Sequence, residues 1–339
     1  MKIPEHIKKM NKIGVCAPSS GIVEIPKLKR LDEAIKNFNE IQYKIKESKS
    51  VRCDINGQSS DDKTRAKEFK DMYLSHDIDA IICAAGGDFL IEILPYIDFQ
   101  KISNAKPKWV QGFSDITGLI FPITTICDIA TIYGPNFGIF GMKPMYKDLK
   151  NSISFLEGKD LIQHSFEKYQ NGYMSFEKNE GFQYNLDKKV EWKNLNSNIN
   201  EQVQIEGRLI GGCLDVLLNI VGTKYDNVIN YIEKYKNDGI LWYLESCELT
   251  GEQIIRGLFE LKEAGWFKYS KGFVFGRYGV YSSTNGIDYY DAIQRQLKNL
   301  NLPIIADVDI GHKSPQLTIV NGLKARIISK NGKGILYYI

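Results

Sequence analysis

Metal-binding cysteine spacings, long apolar runs, nucleotide-loop glycine signatures and a strong charge imbalance are all missing from this 339-residue chain. The six cysteines, at 16, 53, 83, 127, 213 and 247, form no CxxC pair, and the four histidines are scattered. That gives no support to a Cys/His zinc cluster, and no metal is expected. The thiols fit buried, reduced cysteines of a cytosolic protein. No stretch approaches the ~18 apolar residues of a membrane span. Residues Met1 to Lys12 are basic without the apolar core of a signal peptide. A soluble, cytoplasmic protein with no membrane partner is expected. Its 44 Lys and Arg nearly balance 41 Asp and Glu, a net charge of +3, and no long basic run appears. Nucleic acid is therefore not expected as a partner. Neither G-x-x-x-x-G-K-[ST] nor G-x-G-x-x-G follows a strand, and no cofactor is expected.

What is present is ordinary globular material: 43% hydrophobic and 25% charged residues. The length suggests two domains. KIGVCAP at 12–18 reads as a buried strand running into a loop. Apolar residues at helical spacing follow over 26–38 and again over 61–75. DAIICAAGGD at 79–88 is a continuous apolar run ending in glycines, as expected of a buried parallel strand. A helix is expected from Phe89. KWVQGFSD at 108–115 runs into a turn and a helix from Ile116. Strand–helix alternation to about residue 150 predicts a Rossmann-like parallel sheet, domain 1–150. Ligands of such sheets gather at the carboxyl ends of the strands. Those ends carry Pro18–Ser20, Gly86–Asp88 and Gly112–Asp115.

Residues 165–204 are rich in Asn, Lys, Glu and aromatics and poor in aliphatics. They read as an elaborated connector, with hairpin content around Tyr173–Tyr184, inside a linker and specificity insert spanning 151–206. A second domain, 207–339, begins with GRLIGGCLDVLLNIVGT. It contains strands at ILWYLES (240–246), 271–279 and 303–312, a helix over 250–265, and short tail strands with a turn at Asn321–Gly322.

Three residues at strand ends can carry chemistry. Ser114, in Gly112-Phe113-Ser114-Asp115, sits where a strand turns into a helix. That is the position of a nucleophile elbow, although Ser and Asp before an apolar helix also serve as N-caps. A serine hydroxyl needs a base. His312 ends a strand and titrates in the right range, though a strand-end histidine can equally be structural. Glu245 emerges from five apolar residues and could orient the imidazole, or face solvent. Gly86-Gly87-Asp88 could aim backbone amides at an anion. The amides of Gly87 and Asp115 suit an oxyanion hole. GGD also occurs in nucleotide kinases as part of GGDGT, but Phe89-Leu90 replaces the Gly-Thr half.

In order along the chain, APSS, AAGGDFLIEILPYIDF, PKWVQGFSDITGL, YGPNFG, GRLIGGCLDVLLNIVGT, ILWYLES and DVDIGHKSPQLTIVNG resemble the LD-carboxypeptidase family of serine peptidases. That family includes the microcin C immunity peptidases. The resemblance implies an N-terminal Rossmann-like domain, a C-terminal mostly β domain, a Ser114–Glu245–His312 triad and a homodimer. Ser246 departs from the aspartate that usually follows the catalytic glutamate, and Tyr133-Gly134-Pro135 from the His-Gly-Pro of cell-wall members. In the microcin-immunity branch, aromatic residues of an insert stack on the substrate nucleobase. Here Trp192 and, less directly, Tyr184 would do so, with Gly86 and Asp88 lining the substrate site. The expected activity is cleavage of the amide or acyl link of a peptidyl- or aminoacyl-nucleotide. A murein L,D-tetrapeptide losing its terminal D-alanine is the alternative substrate. A non-catalytic ligand-sequestering protein and a nucleotide kinase are the alternatives of another class.

Overall fold

A computed structural model of the chain describes residues 1–159, 162–172 and 180–339. It divides into two compact units. The first holds residues 1–159, 180–183 and 318–320; the second holds 162–172, 184–317 and 321–339.

The first unit is a six-stranded sheet. Its strand order is Ile319–Asn321, Thr131–Tyr133, Trp109–Gly112, Ala80–Cys83, Lys12–Cys16 and Lys44–Glu47. The pairings from Thr131–Tyr133 to Lys44–Glu47 are all parallel. Ala80–Cys83 and Trp109–Gly112 are buried throughout, which is why they read as unbroken apolar runs and not as alternating ones. The helix Ile25–Glu40 turns Leu31, Ala34 and Phe38 inward at helical spacing. Each large apolar side chain of that kind stabilises the fold by about 1.5–3 kcal/mol. The helix Asp62–Leu74 starts where the Asp61 carboxylate accepts from the Thr64 backbone N–H, 3.0 Å away.

From Lys12–Cys16 the chain first goes outward to Lys44–Glu47. It then returns to Ala80–Cys83 on the other side. This reversal of strand order is where an open parallel sheet leaves a crevice at its carboxyl edge. The helix expected from Phe89 is a 3₁₀ segment, Leu90–Tyr96, with Pro95 inside it. Proline removes an N–H and clashes with the preceding turn, so an α-helix cannot continue there.

The second unit is an eight-stranded sheet. Four central strands, Val203–Cys213, Ile240–Glu245, Ser270–Gly276 and Ile304–Val308, are parallel. Antiparallel strands flank them: Lys193–Asn194 on one side, and Lys324–Lys330, Lys333–Tyr338 and Ile162–His164 on the other. The helices Gly251–Glu263 and Tyr289–Leu297 link the parallel strands.

The expected connector 151–206 does not stand as a body of its own. Its described residues from 184 onward pack with the second unit, where Lys193–Asn194 forms the edge strand. Of the hairpin expected around 173–184, residues 173–179 lie outside the described residues. The tail makes its own contribution, because Ile319–Asn321 joins the sheet of the first unit. Among the described residues no helix is long and apolar enough to cross a membrane.

Candidate active site

In the first unit, Ser114 follows the strand Trp109–Gly112 and precedes the helix Thr117–Cys127. Its φ is 64°, in the left-handed region, which costs a side-chain-bearing residue energy and recurs at functional turns. A mere N-cap would have extended backbone, and Ser114 does not. Phe113 donates its N–H to Asn136 Oδ1 at 3.1 Å, and the Ser114 N–H points at the Tyr133 hydroxyl at 3.4 Å. The Tyr133-Gly134-Pro135 segment therefore braces the turn.

Gly86 closes against it. A Cβ on Gly86 would lie 3.0 Å from Ser114 Cβ, 3.2 Å from its Oγ and 3.7 Å from the Asp115 nitrogen. Only glycine leaves the hydroxyl and that amide open space. Gly87, at φ 144°, instead faces the Ser19 and Ser20 hydroxyls. Asp88 is exposed.

The Asp115 side chain has a role that the sequence did not reveal. It is buried, accepting from Ser19 Oγ at 2.5 Å and from the Leu90 N–H at 2.9 Å. Burial outweighs both bonds and pushes its pKa up to about 6. The carboxyl thus ties the loops after three strands together. A cavity of about 190 Å³ opens beside the turn, lined by Ala84, Ala85, Gly86, Phe113, Asn136 and Ile139 among others. A larger hollow of about 660 Å³ contains Asp79 and Lys108, just before the amino ends of the strands, and none of the candidate residues.

In the second unit, Glu245 ends the strand Ile240–Glu245 and His312 follows Ile304–Val308, two strands away. Glu245 Oε2 lies 2.8 Å from His312 Nδ1, and the side chains are 0% and 9% exposed. The strand between them ends at Gly276, where a Cβ would come within 2.8 Å of Glu245 Cβ. Gly311, at φ 92°, would drive a Cβ to 2.3 Å from Glu245 Oε2. Two missing side chains thus make the slot through which the carboxylate reaches the ring.

Burial pulls the imidazole pKa down. The Glu245 charge and hydrogen bonding to Cys247 and Glu245 pull harder the other way, leaving it well above its ordinary value. The Asp215 carboxylate clamps the loop after Glu245, accepting from the Cys247 N–H at 3.0 Å and the Glu248 N–H at 2.9 Å. Cys213 sits in register with Glu245, and its thiol pKa is raised by burial and then by that carboxylate.

Trp192, expected to stack on a substrate base, is 0% exposed. Its indole N–H donates to the buried Asp309 carboxylate at 3.0 Å, and a Cβ on Gly334 would collide with the ring at 1.9 Å. A ring enclosed on this scale packs and offers no face to a ligand. Tyr184 is half-buried. Among the described residues no group of His, Cys, Asp or Glu has the arrangement to hold a metal ion.

Two α/β units, each with candidate groups at the carboxyl edge of a parallel sheet, form the frame on which the likeness to known proteins rests. Residues 13–134 match the LD-carboxypeptidase N-terminal domain and residues 206–327 the LD-carboxypeptidase C-terminal domain. The chain belongs to the LD-carboxypeptidase family, and this membership supports a hydrolase. Microcin C7 self-immunity protein MccF of Escherichia coli is 27% identical over 273 residues, covering 78% of this chain and 75% of that protein. A probable murein peptide carboxypeptidase of Bacillus subtilis is 25% identical over 335 residues, covering 95% and 90%. A solved structure of MccF in complex with glutamyl sulfamoyl guanosine shares the fold, with a TM-score of 0.82 at 22% identity over 99% of this chain and 98% of that one.

Proposed function

We propose that the chain is a serine hydrolase that cleaves an amide or acyl bond with a Ser114–Glu245–His312 triad. The observation that carries this reading is the buried Glu245–His312 pair at 2.8 Å. A carboxylate only accepts, so Nδ1–H donates to Oε2 and leaves Nε2 to exchange a proton. Nε2 would take the Ser114 proton as the hydroxyl attacks the carbonyl, then return it to the leaving group. The Glu245 charge, which raises the imidazole pKa, stabilises the imidazolium formed in that step. The amides of Asp115 and Gly87 would hold the developing oxyanion, with Gly86 keeping the space clear.

The substrate proposed is an aminoacyl- or peptidyl-nucleotide, as the ligand of the MccF complex suggests. A murein L,D-tetrapeptide is the second reading, favoured by the B. subtilis relative that matches 95% of this chain. Mass spectrometry of the purified protein with aspartyl sulfamoyl adenosine and with the tetrapeptide separates them. Release of free aspartate supports the first substrate. Loss of a D-alanine mass supports the second. Turnover that survives Ser114→Ala overturns the triad.

A further inference from the structure

We propose that Lys313 is the anchor for a carboxylate of the substrate; this rests on the hydrolase reading and names a specificity residue for it. Lys313 directly follows His312 and is 8% exposed. Among the described residues, no carboxylate lies within ion-pair distance of its ammonium and no acceptor bonds it. Its contact is the face of Tyr278, with Nζ 4.5 Å from the ring centroid. The neighbouring cations differ. Arg277 pairs with Asp309 at 2.8 Å while lying 4.3 Å over Tyr169, and Lys193 pairs with Asp307 at 3.4 Å.

An ammonium partly withdrawn from water with no anion beside it is disfavoured, and an aromatic face compensates only in part. Burial and the nearby Arg277 charge accordingly pull the Lys313 pKa below the ordinary amine value, against weaker opposite effects of Asp307 and Asp187. A bound anion would remove that penalty.

The ammonium lies at the edge that holds the Glu245–His312 pair. Tyr278 belongs to a segment whose Gly279 and Val280 N–H groups donate to the Ser246 and Cys247 carbonyls at 2.8 and 2.7 Å, immediately after Glu245. A hydrolase that removes a C-terminal residue acts close to a free carboxylate, and one that releases an acidic amino acid acts close to a side-chain carboxylate. A compact ammonium with three donors, carried by the residue that follows His312, fits either carboxylate. The carboxylate has two possible sources: the free terminus of a peptide, or the acidic side chain of an aminoacyl group.

Two substrate pairs distinguish the sources. One pair is a murein tetrapeptide and its terminal amide. The other is aspartyl and asparaginyl sulfamoyl adenosine. Binding is measured by calorimetry on the full chain carrying Ser114→Ala, with and without Lys313→Met or Lys313→Arg, so that no turnover is required. Lys313→Met is expected to weaken the carboxylate member of one pair at least tenfold and its neutral partner less than twofold. Lys313→Arg should keep most of the affinity. The pair that responds identifies the source. Equal weakening of both members, no weakening, or no binding of any of the four overturns the anchor. Survival of hydrolysis in the Ser114→Ala chain overturns the triad and leaves the binding result standing.

Discussion

Ser114 in the first unit and the Glu245–His312 pair in the second obtain their precision by different physical means. At Ser114 the backbone does it: a left-handed φ of 64°, braced by Tyr133 and Asn136 and kept open by Gly86, points the side chain. At His312 a charge does it: a buried carboxylate reaches across an intervening strand through a glycine slot and holds the ring. A nucleophile must be placed with little freedom, and backbone strain achieves that without adding charge. A base must change protonation state, and only a charged partner can stabilise both its orientation and its cation.

The sharpest break in this contrast is at the proposed nucleophile. Ser114→Ala and Ser114→Gly should both lower hydrolysis of the proposed substrate by ~10⁴–10⁶-fold, as triad deletions do. They should differ in stability. Glycine tolerates φ 64° without a Cβ penalty, so Ser114→Gly should melt above Ser114→Ala by the equivalent of about 1 kcal/mol. Equal melting temperatures would mean that the turn is not strained.

At the base, Glu245→Gln should lower kcat/KM by ~10³–10⁴-fold, judging by the matching substitution in other triads. The imidazole acts as a base only when neutral, and its pKa in the folded chain is raised. The wild-type kcat/KM should therefore rise with pH through a midpoint well above 6.5, and the variant's midpoint should fall. The pair should also stabilise the fold below pH 6.5 and cease to do so as pH rises through the raised value. An unmoved acid limb in Glu245→Gln would remove charge from the account.

The smallest effect is expected at Asp115, which reports on the packing behind the elbow. Its carboxyl titrates near 6 in the folded protein against an ordinary 3.8. The folded state binds that proton more tightly, so the contribution is full below pH 3.8 and is lost as pH rises through about 6. It amounts to at most ~3 kcal/mol. Urea unfolding of wild type and Asp115→Asn at pH 4 and pH 7 should show the variant free of this loss. A constant difference between them would mean that Asp115 is well solvated.

Much of this was legible in the chain itself. Unbroken apolar runs marked buried parallel strands, and Ser114 and Glu245 lie at or just past their ends, whereas the strand expected over 303–312 stops at Val308, four residues before His312. What escaped the sequence depends on partners far away in it. The strand expected over 271–279 stops at Gly276, and why glycine is needed there appears only beside Glu245. Asp115 reads as a cap, because its bonds run to Ser19 and Leu90. Trp192 reads as a loop aromatic, because Asp309 and Gly334, which enclose it, are more than 100 residues away. Phe89 reads as a helix start, and Pro95 inside the segment is what holds it to a 3₁₀ form.

The strand Ile319–Asn321 has a consequence for how the protein is made. It forms the edge of the first unit's sheet beside Thr131–Tyr133, yet it leaves the ribosome more than 180 residues after that neighbour. Throughout that interval the nascent sheet carries an open backbone edge, the kind of surface to which other chains add. Cells making this protein must carry an unfinished sheet through synthesis of nearly the whole second unit. A chaperone that shields this edge until Ile319–Asn321 emerges would keep other chains from adding to it.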